Sequence, residues 1–339
     1  MNYLAKIFKS VENWSFFIHD YLASALNDSH TVRKSSYFLM RRCYSLSKGK
    51  SAKLLSIIPQ LIHPAKPISS IKISSAVLSL HNQGFYKLEN PSDTVQALCK
   101  NLRYELSSYP IQECLHGFKE GLVYSSIDAA LKDKSRSGAR LNHQRDHVSS
   151  CLCAWQLIEV LNLPEIASKY LKCTPIITSL DSWYVVPIEA NSESSSLYSA
   201  AAQTYHYDMD WIKFIKFFIN LTDVEELHGP FEFVLGSHRR KNKNYFKDGR
   251  FEDLYGNPIV IKATGRAGSM LAADTSGIHR DGRAMIGFRQ VLQVEFAVSS
   301  FGAKFQYNSS FRSCNQSIPY ESLPCKLKKG RLLSLFKET

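Results

Sequence analysis

The stretch Thr204-Tyr-His-Tyr-Asp208 places an imidazole and a carboxylate two residues apart. Residues at this spacing in an extended chain project from the same face, so His206 and Asp208 can bind one metal ion together. A third ligand from a distant strand would close one triangular face of the metal, and His279 is the best candidate for it. Two imidazoles and one carboxylate are the donor set of a facial-triad iron site.

Short apolar runs separated by turn residues surround these candidates and predict many short strands. The runs are Thr174–Ile177, Trp183–Pro187, Thr204–Asp208, Phe214–Asn220, Phe231–Val234, Ile259–Lys262, Ser269–Ala273 and Arg289–Val298. Residues 1–60 and 91–170 instead show the apolar spacing of helices. The sequence therefore predicts an α+β protein in which helices pack outside a β-barrel-like core.

The ordered motifs over residues 71 to 300 resemble the phytanoyl-CoA dioxygenase family of Fe(II)- and 2-oxoglutarate-dependent oxygenases. The matching motifs are a helix-then-strand opening at 76–90, His-x-Asp at 206–208, Leu-Thr-Asp-Val at 221–224, Gly-Pro at 229–230, Gly-Ser-His at 236–238, and His279 followed by Gly-Phe-Arg at 287–289. Two features depart from the family: Leu235 stands where Pro is usual, and His279 and Arg289 are ten residues apart, one fewer than in some members.

The resemblance implies a double-stranded β-helix, or jelly roll, with N-terminal and flanking helices. It also implies that His206, Asp208 and His279 hold Fe(II), and that Arg289 binds the distal carboxylate of 2-oxoglutarate. With O2 as the oxidant, such an enzyme hydroxylates a small metabolite and releases succinate and CO2. The family's halogenases lack the carboxylate ligand, so Asp208 argues against halogenation.

The alternation of a strand sorts the residues of Phe214–Asn220 between two environments. If Phe218 faces inward, as the resemblance implies, Phe214, Lys216 and Asn220 face inward with it, while Lys213, Ile215, Phe217 and Ile219 face the helices. Phe218 and Lys216 therefore join Arg289 as candidate cofactor-binding residues. A buried lysine needs an anionic partner. That partner is either a carboxylate of the cosubstrate or substrate, or a structural Asp or Glu, unless the lysine reaches solvent.

Other histidines offer competing ligand sets. His143 and His147 are four residues apart and would share one face of a helix, which makes them the main rival metal site. They lack an obvious third ligand, because Asp146 would point elsewhere on the helix, so a solvated or substrate-facing segment is the preferred interpretation. His228 and His238 lie between the first two ligands and the third, at turn positions, and either could replace His279.

Two other functions fit the same triad: a metal-binding jelly-roll protein without turnover, and a zinc hydrolase that activates water. Only an oxygenase needs Arg289 as a keto-acid clamp.

The composition of the chain indicates its cellular compartment and the class of its partners. The chain has 339 residues, eight scattered cysteines and a formal charge of +12. No apolar run approaches the ~20 residues of a membrane span, and no signal peptide is recognisable, so we expect a cytoplasmic protein with reduced thiols. The basic residues are dispersed and match no nucleic-acid reader. They favour small anionic substrates, with the segment 239–243 as an anion-attracting rim.

The sequence divides into a helical extension at residues 1–70, the oxygenase domain at 71–310 and a basic tail at 311–339. The first 25 residues form an amphipathic stripe that either packs on the enzyme body or contacts a membrane surface. The Ser-rich segment 192–199 predicts a mobile loop that covers the site. The oligomeric state stays open.

Overall fold

The computed structural model describes residues 14–23, 34–67, 70–115, 121–188, 201–210, 212–239, 256–301, 322–325, 327–328 and 331–333. The helices are α1 (residues 14–23), α2 (Lys34–Leu46), α3 (Lys50–Leu55), α4 (Ile57–Ile62), α5 (Ile71–Gln83), α6 (Asp93–Leu106), α7 (Ile127–Lys132), α8 (Arg145–Ser149), α9 (Leu152–Val160) and α10 (Leu163–Leu171). The strands are β1 (Phe85–Leu88), β2 (Ile111–Glu113), β3 (Val123–Tyr124), β4 (Arg140–His143), β5 (Ile176–Val185), β6 (Phe214–Asn220), β7 (Phe231–Val234), β8 (Val260–Lys262), β9 (Met270–Ala273), β10 (His279–Asp281) and β11 (Arg289–Ala297).

Two antiparallel sheets organise these strands. The major sheet has eight strands in the order β1-β9-β6-β11-β5-β4-β2-β3, and the minor sheet has three in the order β10-β7-β8. The sheets face each other, since one apolar cluster combines Trp183, Phe218 and Leu271 of the major sheet with Phe231 and Phe233 of the minor sheet. The protein is thus a mixed helix and antiparallel-sheet structure, with the predicted site on the inner faces.

Helices cover the other face of the major sheet. Ile215, Phe217 and Ile219 of β6 share a second, larger apolar cluster with Leu102 of α6 and Trp155 of α9. The expected alternation along β6 is therefore confirmed for these three residues and for Phe218. Phe214, the first residue of the strand, belongs to the helix-side cluster, although its ring centroid also lies 5.8 Å from Nζ of the inward-facing Lys216.

A tight helix-to-strand transition begins the sheet, as the sequence predicts. Helix α5 ends at Gly84, whose φ of 76° lies in the left-handed region that favours glycine. A Cβ there would lie 2.4 Å from His238 Nδ1, so glycine is also needed for close packing. Strand β1 then pairs with β9, the strand that leads toward His279.

Several strand predictions need correction. The two runs at 174–187 form one long strand, β5, because it pairs with β11 on one side and β4 on the other. Strands β2, β3 and β4 lie in the region predicted to be helical, where only pairing with β5 and with each other defines them. Strand β10 was not predicted, and Thr204–Asp208 forms a single bridge at His206 instead of a full strand.

Both ends of the described chain contact the central core. Phe17 and Tyr21 of α1 are buried beside Phe301, whereas Trp14 and Ile18 of the same helix are exposed. Near the other end, the backbone N–H of Ile177 donates to the carbonyl of Leu332 at 2.8 Å. No helix in the described ranges is long and apolar enough to span a membrane.

Candidate metal centre

His206 and His279 lie side by side at the edge of the minor sheet. Their backbones exchange two hydrogen bonds, 3.0 Å from His206 N to His279 O and 2.9 Å from His279 N to His206 O. Next along the chain, the Asp208 N–H donates to Thr275 O at 2.8 Å. This antiparallel pairing brings the two imidazole centroids within 4.4 Å of each other. The pairing thus places two side chains that are 73 residues apart in sequence at one point.

The three predicted ligands converge with Asp208 between the imidazoles. Asp208 Oδ1 is 3.6 Å from His206 Nε2, and Asp208 Oδ2 is 3.4 Å from His279 Nε2. One ligand atom from each residue lies within 4.8 Å of the others, and in the part of the chain that the structure describes no other group of metal-ligating side chains does so. These separations suit three ligands on one face of a metal ion.

Hydrogen bonds to the backbone orient both rings in the same way. His206 Nδ1 lies 2.8 Å from Thr204 O, and His279 Nδ1 lies 3.0 Å from Gly277 O. A carbonyl oxygen only accepts hydrogen bonds, so in each ring Nδ1 carries the proton and Nε2 presents a lone pair. Each lone pair is therefore directed toward the shared centre, which is how backbone partners prepare imidazoles for a metal.

The electrostatics keep the Asp208 carboxylate charged and favour a neutral His206 imidazole. Burial raises the pKa of Asp208, but Lys216 and the two imidazoles outweigh burial and hold this pKa well below its usual range. Burial, together with His279, lowers the pKa of His206. His206 is therefore neutral at pH 7, the form that binds metal.

Lys216 faces the centre from the major sheet. Its Nζ lies 2.8 Å from Asp208 Oδ2, 2.7 Å from Asp210 Oδ2 and 3.4 Å from Glu295 Oε2. Of the three environments that the sequence left open for Lys216, the structure shows the ion pair with carboxylates of the protein. Phe218, the neighbouring inward residue, lies farther back, with its ring 4.7 Å from that of Phe231, which in turn stacks on His279.

Arg289 is nearly fully buried on the inner face of β11, with a carboxylate that the sequence analysis missed. Its Nη2 donates to Asp281 Oδ1, and the indole Nε1 of Trp183 donates to Asp281 Oδ2 at 3.2 Å. Among the described residues, the buried Nε of Arg289 has no hydrogen-bond partner. The signal for Asp281 was present, because His279-Arg-Asp281 repeats the His-x-Asp spacing.

The rival histidine pair does not form the predicted arrangement. His143 ends strand β4 and His147 lies in α8, so the two do not share one helical face. The His147 ring instead stacks on Tyr109 with centroids 4.3 Å apart. The prediction of a shared helical face was wrong because residues 140–143 form a strand, which pairs with β5 over residues 140–142 and with β2 at His143.

His228 and His238, the two histidines that could replace His279 as third ligand, form hydrogen bonds with the backbone at turns instead. His228 Nδ1 accepts the backbone N–H of Glu225 at 3.2 Å, and His238 Nε2 lies 3.3 Å from the carbonyl of His81. Within the basic segment 239–243, Arg239 also donates to that carbonyl. The rest of this rim and the Ser-rich segment 192–199 lie outside the described residues.

No family model and no curated protein sequence matches the chain. Among solved structures, the epimerase SnoN in complex with Fe3+, alpha ketoglutarate and nogalamycin RO is similar, at 13% identity over 66% of this chain and 83% of that chain, with a TM-score of 0.47. EctD from S. alaskensis with 2-oxoglutarate and 5-hydroxyectoine gives 15% identity, 68% and 76% coverage, and a TM-score of 0.45. AviO1 from Streptomyces viridochromogenes Tue57 gives 15% identity, 68% and 96% coverage, and a TM-score of 0.42. These similarities are distant, so the chemistry of the site has to be argued from its own residues.

Proposed function

We propose that the protein is an Fe(II)- and 2-oxoglutarate-dependent oxygenase on a double-stranded β-helix core. It would use O2 to hydroxylate a small metabolite and release succinate and CO2. The observation that carries the proposal is the arrangement of His206, His279 and Asp208. Two imidazole Nε2 lone pairs and one ionised carboxylate meet at one point, with both Nδ1 protons held by the backbone.

The donor set supports a divalent cation at this point. Asp208 keeps its negative charge while it faces the Nε2 atoms of two imidazoles, at 3.6 and 3.4 Å. His206, Asp208 and His279 would hold one Fe(II) ion.

The residues also fit a keto acid. In the family that the sequence resembles, the arginine at this position holds the distal carboxylate of 2-oxoglutarate. Arg289 keeps one buried donor, Nε, without a partner among the described residues, and a guanidinium can hold carboxylates along more than one edge. Asp281 therefore fixes Arg289 in place while a donor remains for the ligand.

When bound, Fe(II) with 2-oxoglutarate and O2 supplies an oxidant strong enough to attack a C–H bond. The chain's own residues would hold the ligands and limit water. Phe218 and Phe231 form an apolar wall behind His279, and Trp183 extends this wall toward Arg289. Water excluded by such a wall cannot screen the charges that hold the ligands.

A small anionic substrate is favoured by Arg140 on the same inner face. Its guanidinium lies 3.8 Å above the ring of Trp183, and its Nε donates to Asn142 Oδ1 at 2.7 Å. In the described part of the chain, Arg140 forms no ion pair within 4 Å, so its remaining donors are available to a carboxylate or phosphate. The net charge of +12 would draw such substrates toward the protein.

The test is conversion of 2-oxoglutarate to succinate by the iron-loaded protein in air, without added substrate. We expect slow, iron-dependent succinate formation that is abolished in Asp208→Ala. Arg280→Ala is the matched control, since Arg280 belongs to β10 but contacts Glu232 instead of the metal centre. If the iron-loaded protein neither forms succinate nor binds 2-oxoglutarate, the oxygenase proposal is wrong. Hydrolytic activity of the zinc-loaded protein would then identify it as a zinc hydrolase, the alternative function of the same triad.

A further inference from the structure

Lys216 is held on the side of Asp208 that faces the major sheet. Its Nζ contacts Asp208 Oδ2 at 2.8 Å. Both oxygens of this carboxylate also face an imidazole, Oδ1 at 3.6 Å from His206 Nε2 and Oδ2 at 3.4 Å from His279 Nε2. Only Oδ2 is engaged by a cation of the protein as well, so the two oxygens have different surroundings.

The position of Lys216 is fixed independently of Asp208. Asp210 and Glu295 also approach its Nζ, at 2.7 and 3.4 Å. Glu295 is fully buried, stands directly opposite Lys216 in the register of β6 and β11, and accepts a hydrogen bond from Thr178 Oγ1 at 2.7 Å. The ammonium group is thus anchored from the sheet side, and a shift of Asp208 would not carry Lys216 away with it.

We infer that Lys216 is a positioning residue that keeps Asp208 Oδ2 off the metal, so that Asp208 binds through one oxygen. This inference rests on the proposed function. A carboxylate can bind a metal ion through one or two oxygens. The proposed reaction requires three open positions opposite the triad, two for the keto acid and one for O2. A second bond from Asp208 would occupy one of them.

The inference predicts opposite changes in two affinities when Lys216 loses its charge. In Lys216→Met, Asp208 is free to add its second oxygen, and a positive charge next to the ion is removed, so metal binding tightens. The keto acid then has to displace a bound oxygen, and its affinity falls. We expect a change on the order of tenfold in each direction.

The experiment measures Mn(II) binding by electron paramagnetic resonance, and anaerobic 2-oxoglutarate binding by the visible charge-transfer band of the Fe(II) protein. The variants are Lys216→Met, Lys216→Arg and the matched control Lys213→Met. Lys213 lies three residues away but faces the helices, with its Nζ 5.2 Å from the Tyr170 ring centroid. We expect Lys216→Arg to recover part of the keto-acid affinity, and Lys213→Met to behave as the unchanged protein.

The outcomes separate the possible roles of Lys216. Tighter Mn(II) together with weaker 2-oxoglutarate supports the inference. Weaker 2-oxoglutarate with unchanged Mn(II) assigns Lys216 to direct contact with the keto acid, and weaker binding of both ligands assigns it to structural support. Either of these last two results, or no change in either affinity, overturns the inference. If the unchanged protein binds no 2-oxoglutarate, the oxygenase proposal fails, and the Mn(II) affinity of Lys216→Met alone decides whether Lys216 restrains Asp208.

Discussion

Two adjacent segments with the same His-x-Asp spacing, His206-Tyr-Asp208 and His279-Arg-Asp281, have different roles in this protein. In the first, the carboxylate lies between both imidazoles and contacts Lys216. In the second, the carboxylate turns away from its own histidine and binds Arg289 and Trp183. The Asp208 side chain is 15% exposed and that of Asp281 is 5% exposed.

The difference between these segments shows that local spacing places a side chain on a face but does not assign its role. Both aspartates point inward, Asp281 from β10 and Asp208 from the segment that bridges to β10 at His206. Each contacts the cation that the major sheet presents opposite it. Lys216 of β6 lies opposite the first and Arg289 of β11 lies opposite the second. The first segment thus remains open to a metal, whereas the second forms a buried ion pair that leaves only Arg289 Nε without a partner among the described residues.

Removal of the Asp281 carboxylate should have the largest effect on folding. Asp281→Ala leaves the guanidinium of Arg289 buried without its carboxylate partner, a change that costs about 3–5 kcal/mol of unfolding free energy. Chemical denaturation without metal measures this loss. The double variant Asp281→Leu with Arg289→Met should recover a large part of it, because no charge is then left buried. A loss below about 1 kcal/mol in Asp281→Ala would contradict a buried ion pair between Asp281 and Arg289.

Removal of the Asp208 carboxylate should instead affect metal binding. In Asp208→Asn we expect Mn(II) affinity to fall by more than about a hundredfold, beyond the effect typical of outer-shell partners. The unfolding free energy without metal should change by less than about 1 kcal/mol, because Lys216 keeps Asp210 and Glu295 as partners. Isothermal titration calorimetry and denaturation together test this pair of results. Unchanged metal affinity would rule out Asp208 as a ligand.

His143 is a buried titratable residue that, unlike Asp208 and Asp281, has no ion-pair partner among the described residues. Burial, with a smaller effect of His147, lowers the pKa of His143 to about 4, and both of its ring nitrogens lack hydrogen-bond partners among the described residues. The unfolded chain protonates this histidine near pH 6.5, so between pH 6.5 and 4 the folded state binds fewer protons. Stability therefore falls as the pH drops through this window, by about 2 kcal/mol between pH 7 and pH 5.

Denaturation of the unchanged protein and of His143→Phe at a series of pH values tests this expectation. The variant should lose the His143 contribution, so the difference in stability between the two proteins should itself depend on pH. A difference that is constant from pH 7 to pH 5 would show that His143 does not titrate as its burial predicts.

The middle residue of the second segment should have the smallest effect. Arg280 points to the opposite side of β10, where it binds Glu232 with two hydrogen bonds and covers the Tyr205 ring at 4.2 Å. We expect Arg280→Ala to cost about 1 kcal/mol of unfolding free energy. Mn(II) affinity should stay within about threefold, since no contact to the centre is lost. A large loss of metal binding would contradict the alternation of the strand.

The sequence predicted those parts of the fold that local pattern determines. Strand β6 has the predicted bounds, Phe214–Asn220, because alternation and burial agree along it, and the turn at Gly84 follows from its backbone conformation. Strands β2 to β4 could not be predicted, because their apolar spacing fits a helix and only pairing across the sheet makes them extended.

The same division applies to the candidate site. Spacing predicted that His206 and Asp208 share a face, and the family pattern supplied His279 and Arg289. The His-x-Asp spacing places Asp281 on the same face as His279, but its pairing with Arg289 could not be predicted, since the two meet only after β10 of the minor sheet packs opposite β11. The partners of Lys216 likewise come from a loop and from β11. The ion pairs of Lys216 and Arg289 therefore depend on tertiary packing, which the local sequence pattern does not specify.

The most direct measurement is the position of iron in crystals soaked anaerobically with Fe(II) and 2-oxoglutarate. Anomalous scattering at the iron absorption edge locates the metal without assumptions about its ligands. We expect one strong anomalous peak, from an iron ion bonded to His206 Nε2, His279 Nε2 and one oxygen of Asp208, at about 2.0–2.2 Å from each atom. Iron bound at His143 and His147, or at Asp281, with none between His206 and His279, would contradict the account.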